Sequence, residues 1–206
     1  MGTSADNLFR KSIGELLDSG LYADVEVKVG TTTFKAHKAI LCTQCDFFRH
    51  AFDKSNGFKE AETNVIALGE PTTPEVTRAM LEFLYRGNYT KTQDAESQFV
   101  IDVGVFIAGE MYIIPGLKEI AFTRIQEVLN NVVYYSTFPT GIAKIYDFTP
   151  ENDRSLRNLL VDTAKLKIET GGLLQNQGFN EALETCSGFG KDLVHALGTY
   201  TVIWEE

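Results

Sequence analysis

The order of apolar and polar positions divides the chain into a mixed first third and a helical remainder. Over residues 6–17, Leu8, Phe9, Ile13, Leu16 and Leu17 fall on one helical face, and Asp18-Ser19-Gly20 supplies a stop. Asp24-Val25-Glu26-Val27-Lys28-Val29 then alternates charge with valine, the period of a half-buried strand whose valines point inward. Gly30 and the threonines after it read as a turn, from which Thr33-Phe34-Lys35-Ala36 returns as the second strand of a hairpin. Ala39, Ile40 and Leu41 open one helical segment, and Phe47, Phe48, Ala51 and Phe52 mark another. Asn64-Val65-Ile66-Ala67-Leu68 reads as a short strand.

Two helix starts are expected from capping chemistry. Thr73-Pro74-Glu75 places a capping hydroxyl, a proline at the first helical position and an acid in the first turn, and Val76, Ala79, Met80, Phe83 and Leu84 form the apolar stripe that Gly87 ends. Thr149-Pro150-Glu151 repeats the device ahead of Leu156, Leu159, Leu160 and Ala164, with Gly171-Gly172 as the stop. Between them, residues 99–111 and 116–129 read as two helices divided by Pro115, and residues 179–183 and 193–197 as short helical pieces. Strands confined to the first third, followed by helices, predict an α+β fold with helices packed around one small sheet. Asn130-Asn131 interrupts the apolar periodicity and is taken as the boundary: a domain over 1–130, with an N-terminal helix at 1–19 and a core at 20–130, then a helical extension over 131–206.

Composition narrows the function classes. Across 206 residues, 44% are hydrophobic and 23% charged, an ordinary globular balance that argues against general disorder. Nineteen Lys and Arg oppose 28 Asp and Glu, a net charge of -9 with no run of positive charge, which points away from nucleic acid as a direct partner. Three cysteines are too few for a disulfide framework and suggest a reducing compartment. Met1-Gly2-Thr3-Ser4-Ala5-Asp6 lacks the apolar core of a signal peptide, and Asp6 stands where a myristoylation signal requires Ser or Thr. No apolar stretch reaches the roughly 20 residues needed to cross a bilayer. The expectation is a soluble protein of the cytoplasm, the nucleus or both, without a membrane partner.

The predicted order of helix, hairpin, helix pair, short strand and capped helix resembles the BTB/POZ domain. Asp24 to Gly30 is similar to that family's first strand, and Phe34-Lys35-Ala36-His37-Lys38-Ala39-Ile40-Leu41 to its aromatic-x-Ala-His-Lys/Arg-x-x-Leu run. Asp46-Phe47-Phe48-Arg49-His50-Ala51-Phe52 resembles the next helix, Phe58-Lys59-Glu60 an aromatic-x-Glu loop, and Met80-Leu81-Glu82-Phe83-Leu84-Tyr85-Arg86-Gly87 a helix ending in Tyr-x-Gly. The match is specific over residues 20–90 and weaker to about 130. It departs at Cys45, where a capping serine is usual, and at Gly109, where a better helix former is usual, at a cost of roughly 1 kcal/mol. Residues 131–206 match no motif; they occupy the place where many BTB proteins carry further helices.

The resemblance implies a BTB/POZ fold, a non-enzymatic protein-interaction module and a homodimer. In such dimers the N-terminal helix packs across the two-fold axis, which makes Leu8, Phe9, Ile13 and Leu16 candidate interface residues; packing on their own chain is the alternative. Asp24 and Lys38 match an acid and a base that lie together in a charged pocket near that interface; the alternative is an exposed lysine and an aspartate that merely starts a strand. Phe58 and Glu60 match a hydrophobic-x-Glu element with which some members bind a cullin ubiquitin-ligase scaffold; the alternative is a phenylalanine folded back to pin its loop. The function expected is an adaptor or scaffold, a candidate substrate adaptor for a cullin-based ligase holding an unknown protein substrate. A scaffold without a ligase, for example one acting in transcription through a DNA-binding partner, stands beside it.

Other constellations carry less. Cys42-Thr43-Gln44-Cys45 has redox or zinc spacing but lacks a second pair of ligands. His37 has no nucleophile motif to serve, and the resemblance makes it a structural link between strand and helix. Gly188-Phe189-Gly190-Lys191 lacks the glycine spacing of a phosphate loop. No catalytic residue, metal site or cofactor is expected. Tyr134, Tyr135, Phe138 and Trp204 are expected in the core, with substrate recognition as their alternative role.

Overall fold

The computed structural model describes residues 4–198, so Trp204 lies outside the described residues. The chain forms two compact units: one contains residues up to 92 together with 104–121, the other 93–103 and the chain from 122 onward.

In the first unit, strand β1 (Val25–Val29) is the centre of a three-stranded sheet ordered β2-β1-β3. It pairs antiparallel with β2 (Thr32–Ala36) and parallel with β3 (Val65–Leu68), so Val27 lies beside both Phe34 and Ile66. Val25, Val27 and Val29 are buried while Lys28 is exposed, as the alternation predicts. Helices α1 (Ser4–Ser19), α2 (Lys38–Gln44) and α3 (Asp46–Phe52) stand where the periodicity places them. A five-residue helix, α4 (Lys59–Thr63), takes up most of the segment read as an aromatic-x-Glu loop, with Phe58 as its N-cap and Glu60 in its first turn.

Helix α5 (Pro74–Arg86) follows its capping code closely. The Val76 N–H donates to the Thr73 hydroxyl at 3.3 Å, and Gly87, at φ 72°, closes the far end by donating to the Phe83 carbonyl at 2.7 Å. Helices α6 (Ala95–Met111) and α7 (Pro115–Val132) each contribute to both units. In the first unit a Cβ on Gly109 would lie 2.7 Å from the backbone nitrogen of Lys118. The glycine that costs helix propensity is therefore what permits this close crossing. Helix α7 continues through Asn130 and Asn131 to Val132, without the break that the polar pair suggests.

The second unit is helical, adding α8 (Phe138–Phe148), α9 (Ser155–Glu169), α10 (Gln177–Thr185) and α11 (Ser187–Gly198). Phe138 is the centre of its core, with the rings of Phe99, Phe179 and Phe189 at 6.5, 6.2 and 5.7 Å. Tyr134, by contrast, is exposed. Two expectations are corrected. Helix α8 was missed, although Phe138, Ile142 and Ile145 are buried at helical spacing. Thr149 is the C-cap of that helix and not the start of the next: its hydroxyl donates back to the Ile145 carbonyl at 2.5 Å, and a proline after a helix end is as natural as one at a helix start. Helix α9 begins at Ser155, whose N–H and hydroxyl both donate to Asp153.

Candidate functional site

The amphipathic face of α1 is shared between two environments. Its C-terminal half packs on α5 of the same chain: Leu17 is buried, and a Cβ on Gly14 would run into the Arg86 guanidinium. Arg86 Nη2 donates to the Gly14 carbonyl at 3.0 Å and to the Asp18 carboxylate at 2.5 Å, while Arg10 Nη1 donates to the Arg86 carbonyl at 2.9 Å. Two apolar side chains toward its N-terminal end lack such cover. Leu8 and Phe9 are 66% and 68% exposed, and Ile13 and Leu16 are half-buried. Beside them runs a cleft of about 690 Å³ whose lining includes Phe9, Ile13, Ile40, Gln44 and Leu84. Ile40 and Leu84 were not singled out as site residues in the sequence; Ile40 belongs to the α2 run, but nothing local marks it as facing outward.

Asp24 and Lys38 meet, though not as two opposed charges. The Asp24 carboxylate accepts the backbone N–H of Lys38 at 2.8 Å, which satisfies a free donor at the start of α2 that the His37 side chain does not cap. The Lys38 ammonium instead donates to the Asn64 side chain at 2.5 Å and sits 5.3 Å from the centre of the Phe52 ring. Asp24 itself is exposed.

Phe58 is 51% exposed and does not fold back into its own loop. Gly57, in the left-handed region at φ 69°, turns the chain just before it, and Ala61 anchors α4 by its burial, so the aromatic ring and Glu60 are presented from a short, pinned helix start.

The remaining candidates are structural. His37 Nε2 lies 2.7 Å from the Leu21 carbonyl, an acceptor only, so that nitrogen carries the proton. Nδ1 then accepts from the Tyr85 hydroxyl at 2.7 Å, and the Tyr85 oxygen accepts the His37 backbone N–H at 2.9 Å. This closed set ties the end of β2 to α5, as the resemblance implied. Burial pushes the Tyr85 phenol up to about 12. Burial also raises the thiols of Cys42 and Cys45, whose sulfurs face the carbonyls of Phe48 and Tyr112, so both stay protonated at neutral pH. Cys45 caps α3 without a side-chain hydrogen bond. Among the described residues no three His, Cys, Asp or Glu side chains converge as metal ligands, and no helix is long and apolar enough to cross a membrane.

Comparison with known proteins places these features. The family model "BTB/POZ domain" matches residues 13–129. The chain is similar to BTB/POZ and MATH domain-containing protein 3 of Arabidopsis thaliana, at 23% identity over 193 residues, covering 91% of this chain and 45% of that protein. It is also similar to the zinc finger protein chinmo of Drosophila melanogaster, at 33% identity over 91 residues, covering 43% of this chain and 14% of that one. The chain thus spans less than half the length of these curated relatives. Among solved structures, the BTB domain of zebrafish PATZ1 aligns with 62% of this chain and 96% of its own, at 19% identity and a TM-score of 0.45. The family model takes in β1 to β3, the His37–Tyr85 link and the C-terminal part of α1, which is more than half of all residues, and so the chain belongs to the BTB/POZ family of protein-interaction domains.

Proposed function

We propose that the protein is a non-enzymatic adaptor that homodimerises through α1 and the cleft beside it, and that presents Phe58 and Glu60 to a cullin-type scaffold. The observation that carries the dimer is the outward face of Leu8 and Phe9, two large apolar side chains left two-thirds exposed on a helix that Arg10 and Arg86 fasten to α5 of its own chain. A two-fold partner covers such a face with an identical one, the commonest closed symmetry. Ile13 and Leu16 extend the contact inward, and Asp24 with Lys38 lies at its margin, where a stranded charge disfavours a wrong register.

The cullin element rests on the exposed Phe58 ring with a carboxylate two residues on: an aromatic anchor that loses its water and an acid that sets orientation. A dimer would offer two such elements, so weak single contacts are strengthened by effective concentration while another surface holds a protein substrate. The place of action is the cytoplasm or the nucleus. A pull-down with a cullin N-terminal domain tests this directly. Phe58→Ala is expected to weaken capture about tenfold or more, the range of an aromatic hot spot. Undiminished capture by the variant removes Phe58 from the reading. No capture by the wild-type chain leaves a scaffold that oligomerises without a ligase.

A further inference from the structure

The helical unit holds a polar cleft of about 820 Å³ that none of the foregoing uses. It lies at the end of α8 and the turn after it, and its lining includes Arg154, Arg157 and residues from the first two turns of α11. Arg157 is only 5% exposed. Its Nε donates to the Thr149 hydroxyl at 3.2 Å, and its Nη2 to the Thr149 and Tyr146 carbonyls at 2.7 and 3.2 Å, with the guanidinium 4.6 Å from the centre of the Tyr146 ring. These acceptors are neutral. Capping the end of α8 explains two of the three nitrogens. Nη1 has no partner among the described residues and is not sealed from solvent, which leaves it to the cleft that Arg157 lines.

A buried cation with no carboxylate in contact is an uncommon arrangement, because desolvation is normally offset by an ion pair. The neighbouring cation is paired: Arg154 Nη2 meets Asp192 at 2.8 Å, and the Tyr146 hydroxyl donates to the same carboxylate oxygen at 2.5 Å. Asp192 is therefore already engaged by two donors. Lys191, exposed at the start of the second turn of α11, adds positive charge near the N-terminal end of that helix. Two exposed acids, Asp147 and Glu151, also line the cleft. They repel a dianion more than a monoanion, so the balance of charge favours a carboxylate over a phosphate.

We propose that this cleft binds a carboxylate of a partner's peptide segment, with Arg157 Nη1 and Lys191 as its cationic contacts. The carboxylate is either an acidic side chain or a chain end, and the two sources separate in a titration. The full chain, with the Arg157 Nε–H and the Ser187 and Gly188 amides followed by NMR, is titrated with three probes: acetyl-GSGEEGSG-amide, the free acid GSGSGSGS, and potassium phosphate. Saturable shifts at these groups are expected from the first peptide if side chains are the ligand, or from the second if chain ends are. Lys191→Glu is expected to weaken the active peptide roughly fivefold, and Arg157→Lys, which keeps the charge and loses Nη1, by at least as much. Should Arg157→Lys fail to fold, Lys191→Glu decides alone, since an exposed position tolerates it. Unaltered binding in Lys191→Glu, phosphate binding at least as tight as either peptide, or no saturable shift from either peptide at about 10 mM, a concentration above any useful affinity, each overturns the site.

Discussion

Replacing Leu8 and Phe9 together by alanine is the sharpest test of the dimer. Fully covering a Leu or Phe side chain is worth about 1.5–3 kcal/mol. Each of these two is about two-thirds exposed in the single chain, so what a partner can still cover is worth about 1–2 kcal/mol apiece. A two-fold interface covers four such side chains, an upper limit of about 4–8 kcal/mol, or roughly three to six orders of magnitude in the association constant. Alanine keeps part of that area, so a loss of at least about a hundredfold is expected. Sedimentation velocity over a dilution series reads it directly. The same variant makes a second demand, which separates interface from core. Because both side chains already stand in water in the single chain, the unfolding free energy of the dissociated protein should change by less than about 1 kcal/mol. Dissociation at the wild-type concentration would refute the reasoning, and so would a wild-type chain that stays monomeric near millimolar strength. A large loss of monomer stability would instead mean that the N-terminal half of α1 packs on its own chain.

Tyr85 gives a pH prediction. Its phenol holds its proton up to about 12 in the folded chain against an ordinary 10, so the folded state keeps a proton that the unfolded state releases, and stability falls by about 2 kcal/mol as pH rises from 10 to 12. Urea midpoints measured across pH 9–12 should slope downward in the wild type and less steeply in Tyr85→Phe, where the Tyr112 and Tyr146 phenols, also raised by burial, keep part of the slope; equal slopes would detach Tyr85 from the effect. Gly109→Ala opposes two rules: helix propensity alone predicts a gain of about 1 kcal/mol, whereas a methyl 2.7 Å from the Lys118 backbone nitrogen predicts a net loss of about 1–3 kcal/mol. A urea midpoint that rises in this variant would show that the α6–α7 crossing relaxes at little cost.

How much was legible in the sequence depended on whether a residue's role is settled by its neighbours in the chain. Val25, Val27 and Val29 fix which side of β1 is buried because alternation has a period of two, and Thr73-Pro74 with Gly87 marks both ends of α5 by local hydrogen bonds. Thr149-Pro150 has the same letters and the opposite meaning. A threonine hydroxyl can accept from the N–H three residues ahead or donate to the carbonyl four residues behind, and the apolar period of Phe138, Ile142 and Ile145 decides for the second. That earlier helix had to be seen first. The short helix α4 was missed for a related reason, since five residues are too few to show a period.

The candidate sites show the same division more severely. Five apolar positions on α1 announce an amphipathic helix, but the sequence cannot divide them between the chain's own core and a partner. That division is made by Arg10 and Arg86, 76 positions apart, which fasten α1 to α5 between Arg10 and Asp18 and leave the Leu8 and Phe9 side chains exposed. The same holds for Asp24, whose charge reads as half of an ion pair with Lys38 and turns out to be spent on a backbone N–H at the start of α2, because β1 delivers it there. Arg157 is the limiting case. Nothing in residues 155–169 distinguishes it from any other helical arginine; it becomes a candidate contact only because the end of α8 takes two of its nitrogens and leaves the third at a cleft wall. In a protein-interaction domain, function lies in which ordinary side chains the fold leaves uncovered, and that is set by long-range packing.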